Sequence, residues 1–144
     1  MVAPERTDWL LRFVAGIPGY DGPVDVIRLM KGMFLFQKEK SAPREVNYTF
    51  RPYDYGPFTP EIYRDAEALI ELGYLNELPG GKAFRITEPG KRYLSTVDFD
   101  PRVEQEIVEL RVEVEDLSFR DLLRRVYTAH PESAKRSIAK DVLR

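Results

Sequence analysis

The stretch Glu71-Leu72-Gly73-Tyr74-Leu75-Asn76-Glu77-Leu78-Pro79-Gly80-Gly81-Lys82-Ala83-Phe84-Arg85-Ile86-Thr87 decides the fold class. Gly73 ends a preceding helix, residues 74–78 read as a strand, Pro79-Gly80-Gly81-Lys82 as a tight turn, and residues 83–87 as the returning strand. Just upstream, Thr59-Pro60 is a strong helix start, because threonine caps well and proline suits the first helical position. Ile62, Ala66, Leu69 and Ile70 then recur at helical spacing and turn inward. Helix, strand, turn and strand in that order read as a recognition helix followed by a wing. We therefore expect an α+β, helix-rich chain with a winged-helix-like core, a small antiparallel sheet and a C-terminal helical extension.

Before this unit lies Tyr53-Asp54-Tyr55-Gly56-Pro57-Phe58. Six of the 17 aromatic residues (Tyr48, Phe50, Tyr53, Tyr55, Phe58 and Tyr63) gather here around a Gly-Pro step. Such a step suits neither helix nor strand, which predicts a shaped, aromatic-packed junction opening the next helix. Val46, Tyr48 and Phe50 alternate with Asn47, Thr49 and Arg51, the period of a strand ending at Pro52. Further upstream, residues 24–38 form a helix that is apolar on nearly all sides and hence central to the core. Arg28 and Lys31 mark its one narrow polar face, read as a solvated stripe. A first helix starts near Thr7, with Thr7 or Asp8 as its cap, and stops at Gly16-Ile17-Pro18-Gly19.

The remaining third is helical. Val103, Ile107, Leu110, Val114 and Leu117 step by four, three, four and three, a heptad seam that predicts burial on the core, on a second copy or on a partner. A following helix holds Phe119, Leu122, Leu123, Val126 and Tyr127, and a last short one holds Ala134, Ile138 and Val142. Residues 102–117 carry two basic and six acidic side chains, whereas residues 118–144 carry seven basic and three acidic. Opposite charge on consecutive helices predicts that they pair as a hairpin or across a dimer. One domain over 1–144 results, with a winged-helix-like core at 1–97 and a helical extension at 98–144 packed on it.

Composition narrows the function classes. With no cysteine there is no disulfide framework, thiolate nucleophile or zinc-thiolate site. No apolar run approaches the roughly 20 residues that span a bilayer, and Met1-Val2-Ala3-Pro4-Glu5-Arg6 lacks a signal-peptide pattern. A cytoplasmic, soluble protein with no membrane partner is expected. The single histidine, His130, stands alone before a proline and makes no triad. Gly80-Gly81-Lys82 lacks the spacing of a phosphate loop. The carboxylates Glu104, Glu106, Glu109, Glu113 and Glu115 follow an exposed helix face. No catalytic residue, metal site or cofactor is read from the chain, and no enzyme is expected.

At Arg28-Leu29-Met30-Lys31-Gly32-Met33-Phe34-Leu35-Phe36-Gln37, Tyr48-Thr49-Phe50, Tyr55-Gly56-Pro57-Phe58 and Glu71-Leu72-Gly73-Tyr74-Leu75, the chain resembles the Panacea-type antitoxin superfamily of SocA-like and YwgA-like proteins. Thr128-Ala129-His130-Pro131-Glu132-Ser133-Ala134 resembles the tail of the same group, so the resemblance spans roughly residues 25–138. It implies a compact winged-helix-like domain serving as an antitoxin or protein adaptor, and it brings no catalytic residues.

Two partner classes remain. Binding of a protein leads, with Tyr53, Tyr55 and Phe58 as candidate anchors, since tyrosine is a favoured interface residue, and with a homodimer through the 103–117 heptad helix as a further expectation. The alternative is a winged-helix DNA-binding regulator. It would use Lys82 and Arg85 in the wing and Arg124, Arg125, Lys135 and Arg136 near the C-terminus, with Arg120, Lys140 and Arg144 adding to the patch. Against it, the expected outward residues of the third helix, Glu61, Arg64, Asp65, Glu67 and Glu71, are four acids to one base, and the chain's net charge is −2. Both oppose phosphate.

Overall fold

The computed structural model describes residues 1–139 and 141. In chain order its elements are α1 (Arg6–Ala15), β1 (Val24–Asp25), α2 (Val26–Glu39), β2 (Arg51–Tyr53), β3 (Gly56–Phe58), α3 (Pro60–Glu71), β4 (Leu75–Glu77), β5 (Ala83–Ile86), α4 (Glu88–Leu94), α5 (Pro101–Asp116) and α6 (Phe119–Ala129), then a 3-10 turn over Pro131–Ala134. An antiparallel sheet has the order β1-β5-β4, and β2 and β3 form a separate hairpin. The fold is α+β and helix-rich, as the sequence predicts.

The central helix is α2, which packs on α1, α5, α6, β1 and β3. Its residues 29–36 are all buried. Gly32 lets α1 approach: a Cβ there would stand 2.2 Å from Phe13 Cζ. The α3 helix starts where expected, with the Thr59 hydroxyl accepting from the Glu61 amide and Pro60 at the first position. Strand β4 returns through the Pro79–Lys82 turn to β5 in the register Leu75 to Ile86. Residues of the expected core and of the expected extension share one apolar cluster, in which Trp9 meets Phe99 with ring centroids 4.6 Å apart.

Several local expectations change. Val24 and Asp25 belong to a strand, because Val24 pairs with Phe84 of β5, and α2 therefore begins at Val26. Residues 46–50 are extended with Val46 and Tyr48 inward, yet they pair with no strand. Pairing begins at Arg51, and Pro52 lies inside β2 rather than ending a strand. The α1 cap is Glu5 in a capping box with Asp8. The expected last helix is the 3-10 turn; Ile138 is exposed, and Val142, Lys140 and Arg144 lie outside the described residues.

The heptad seam is real but used internally. Val103, Ile107, Leu110 and Val114 are buried and α5 packs on α1 and α2, so these seam residues serve the chain's own core, while Val108, Val112 and Leu117 are half-buried. Charge pairing between α5 and α6 is confined to Glu113 and Arg125 at 3.3 Å among the described residues. Arg125 bonds chiefly to Glu39 at the end of α2, at 2.5 and 3.0 Å.

One charged side chain is wholly inside. Arg111 is 1% exposed. Its Nη1 donates to the carbonyls of Phe13 (3.0 Å) and Val14 (2.6 Å), and its Nε donates to Glu115 (3.1 Å). Those carbonyls belong to the last turn of α1, which has no intrahelical donors for them. Arg111→Met should therefore lower stability by about 3 kcal/mol or more, because it leaves buried acceptors unpaired. In urea unfolding the midpoint should fall with the slope unchanged, and Arg111→Lys, which keeps charge but not the donor fork, should recover only part of the loss.

Candidate functional site

The aromatic junction is a β-hairpin whose turn is Asp54-Tyr55. Gly56 makes it possible. Its φ of +91° favours glycine, and a Cβ there would stand 2.8 Å from Tyr127 Cε1. The turn is tied from the other side by the Ile138 amide, which donates to the Asp54 carbonyl at 2.9 Å. The chain entering the hairpin is fixed as well. Arg6 grips Asp65 with Nε and Nη2 at 2.8 and 3.1 Å and reaches Glu61 at 3.1 Å. Tyr48 donates its hydroxyl to Asp65 at 2.6 Å, and the Thr49 amide donates to Glu61 at 2.7 Å. Burial, followed by the bond to Asp65, holds the Tyr48 phenol far above its ordinary range, so it stays a donor.

On this fixed base the candidate anchors stand out. Tyr53 is 47% exposed and Tyr55 41%, while Phe58 is half-buried between Tyr53 and Tyr63. Tyr55 meets Phe119 edge-on at 5.6 Å. Two of the three candidates thus face outward rather than into a packed junction. On one side of the hairpin a cavity of about 610 Å³ is lined by Arg51, Tyr53, Phe58, Glu61, Arg64 and Arg136 among others. Arg136 lies 5.8 Å over the Tyr53 ring. Arg51 and Arg64 are exposed and form no hydrogen bond or ion pair among the described residues.

On the other side, between α2, the hairpin and Tyr63, lies a smaller cavity of about 270 Å³ lined by Val26, Ile27, Met30, Lys31, Tyr53, Asp54, Tyr55, Gly56, Phe58 and Tyr63. Lys31 was expected in a solvated stripe. It is instead 4% exposed, and its ammonium has no hydrogen bond or ion pair among the described residues. Arg28 is not solvated either, since it donates to the carbonyls of Val114 (2.9 Å) and Leu117 (2.6 Å). Asp25, the carboxylate that acts on Lys31, is already engaged by the Arg28 amide and by Arg28 Nη1. The periodicity of α2 gave no sign of this, because a lysine between apolar neighbours reads as the edge of a polar face.

The nucleic-acid candidates are divided by the fold. Lys82 and Arg85 sit on the β4–β5 hairpin and are exposed and unpaired among the described residues. That hairpin packs on α1, α3 and β1, whereas α6 and the 3-10 turn pack on each other, on α2 and on the β2–β3 hairpin. Arg125 is committed to Glu39 and Glu113, while Arg124, Lys135 and Arg136 remain exposed. On α3 Asp65 is buried and Glu61 is engaged by Arg6, so the exposed charges are Arg64, Glu67 and Glu71, less acidic than the sequence reading held. His130 caps α6 and contacts Glu39 at 2.7 Å. Bonds from Arg125, and more weakly from His130, hold the Glu39 carboxyl down to about 2. No group of three metal-ligating side chains occurs among the described residues, and no helix among them is long and apolar enough to cross a membrane.

Burial lowers the Lys31 amine from its ordinary 10.5 to about 8, opposed weakly by Asp25. Folding thus disfavours the protonated amine, and between those two values the unfolded chain binds one more proton than the folded one. Below pH 8 the folded state carries the whole penalty, roughly 3 kcal/mol. Stability should rise with pH through this window. Tyr63 on the cavity wall does not mimic the effect, because burial pushes it upward and a raised phenol acts in the opposite sense. Lys31→Met should be more stable than the natural chain at neutral pH, and the gap should close toward about pH 10 in denaturant midpoints.

No protein-family model, no curated protein and no solved structure matches this chain.

Proposed function

We propose that the chain is a non-enzymatic binding module that docks a partner protein on the β2–β3 hairpin, as an antitoxin or adaptor in a toxin–antitoxin or phage-defence setting. The observation that carries this is the pair of exposed tyrosines, Tyr53 and Tyr55, on a hairpin held rigid by Gly56, Ile138 and the Arg6–Asp65–Tyr48 cluster. Tyrosines on a fixed base lose little side-chain freedom on binding, and they combine apolar area with a polar tip. Arg51 and Arg64 beside them have no internal partner among the described residues, which suits a partner segment that mixes apolar and acidic residues. The resemblance to Panacea-type antitoxins supports the setting, not the geometry.

The second reading, a winged-helix DNA-binding regulator, is favoured by the unpaired Lys82 and Arg85 on the β4–β5 hairpin. It is weakened by Arg125 being neutralised and by the separation of that hairpin from the basic tail.

A tagged pull-down from native cells, with and without nuclease at one fixed salt, separates the two. A stoichiometric protein that survives nuclease supports docking. Proteins lost on digestion, with nucleic acid recovered, support the second reading. For a protein partner, Tyr53→Ala and Tyr55→Ala should each weaken affinity by about 2 kcal/mol or more, roughly thirtyfold. Unchanged affinity in both folded variants would remove the hairpin from the interface.

A further inference from the structure

The cavity between α2 and the hairpin combines apolar walls with one buried lysine. Its walls are apolar or aromatic, from Val26, Ile27 and Met30 on one side and Tyr55, Phe58 and Tyr63 on the other, and its one cation is Lys31. A lysine buried to this degree normally finds a carboxylate. This one has no ion pair among the described residues, and Asp25, the acid that acts on it, is occupied by Arg28. The charge is therefore left for something that enters from outside.

We propose that this cavity binds a monocarboxylate with a small apolar body, the carboxylate on Lys31 and the body between Met30, Tyr55, Phe58 and Tyr63. The chemistry of the walls fixes each part. A carboxylate brought to this unpaired ammonium, on a side chain that is itself largely buried, forms a charge pair in apolar surroundings where the attraction is weakly screened. The apolar lining removes the ligand's body from water. A volume of about 270 Å³ has room for one aromatic or aliphatic side-chain equivalent and its carboxylate. Asp54 at the turn lines the same cavity, and its charge disfavours polyanions such as di- or triphosphates, which would also lack a second cation inside. Such a carboxylate has two sources, a free small acid or the C-terminal residue of a peptide.

This deepens the docking reading and rests on the hairpin being a binding face, but it does not require the occupant to be a whole protein. The test uses the purified chain and free probes, so its failure is separable from failure of the pull-down. The probes are 3-phenylpropionate, its neutral counterpart 3-phenylpropanol, and the tripeptide Gly-Gly-Phe with either a free or an amidated C-terminus. Binding is followed by shifts of the Lys31, Tyr53, Tyr55 and Gly56 amide resonances. The expected result is saturable shifts at these positions with at least one acid. The alcohol and the amide should bind at least about tenfold more weakly, as loss of a charge-assisted bond requires, and Lys31→Met should lose the same preference. Tighter binding of phenylpropionate identifies a free acid as the source, and tighter binding of the acid peptide identifies a chain terminus. The proposal is overturned if neither acid shifts these resonances at millimolar concentration, if the neutral probes bind equally, or if folded Lys31→Met binds the acids as the natural chain does. Should Lys31→Met fail to fold, the acid-against-neutral comparison on the natural chain decides alone.

Discussion

The guanidinium of Arg111 holds the C-terminal end of α1 to the body of α5, and the packing of the helices depends on it. A helix that ends inside a core presents carbonyls with no donors, and leaving such groups unpaired costs far more than a surface contact returns. Here Arg111 supplies donors to Phe13 and Val14, and Arg12 serves the carbonyl of Gly16 at 2.9 Å. The same device recurs where Arg28 of α2 reaches Val114 and Leu117 at the end of α5. Each arginine sits where partial negative charge collects at a helix C-terminus. Three helices are thereby linked through backbone rather than through side-chain complementarity alone. Since α2 is also one wall of the Lys31 cavity, the clamp that orders the core orders the candidate site.

A second network does for the hairpin what the arginine clamp does for the helices. Residues 46–50 have no strand partner, so their course has to be set by side chains. Gln37 of α2 takes both backbone bonds of Tyr48, with Nε2 donating to its carbonyl at 2.8 Å and Oε1 accepting from its amide at 3.0 Å. Arg6, Asp65 and Glu61 fix the same segment against α1 and α3. The segment is held by three helices and delivers β2 at one angle. Rigid delivery matters because ordering a loop on binding is a direct loss of affinity.

Element type was legible wherever a local rule operated. Thr59-Pro60 started a helix, the Pro79–Lys82 turn returned a strand, and the seam of α5 was placed on the correct side. Failures arose where a distant residue decided the outcome. Alternation at Val46, Tyr48 and Phe50 reported which side chains face inward, but pairing depends on a partner strand, and the partners available were used at Arg51–Tyr53. Asp65 read as an outward acid because Arg6 lies 59 residues away. Arg28 and Lys31 read as helix-surface charges because a helical pattern assigns charge to solvent by default, and only packing shows which charges lie inside. Aromatic crowding singled out Tyr53, Tyr55 and Phe58 as candidates, whereas the cavity behind them was not legible, since its cation comes from another element.

Lys31 is the position where local consistency fails. Its neighbours Leu29, Met30, Met33 and Phe34 are buried apolar residues, and a methionine would occupy the same space without desolvating a charge. Arg111 and Arg28 are also buried or half-buried, but each meets several acceptors, so their presence is explained by structure. Lys31 meets none among the described residues, and stability alone gives no reason for it. A buried group that weakens the fold is expected where the chain is shaped for something other than its own packing. The rigid hairpin makes the same point from the opposite wall. Gly56 accepts a left-handed backbone against Tyr127, and the Ile138 amide secures the turn, so that two tyrosines line an apolar recess in which Lys31 has no hydrogen bond or ion pair among the described residues. Rigidity on one wall and unsatisfied charge on the other are both costs to an isolated chain, and both become favourable once an apolar anion fills the space between them.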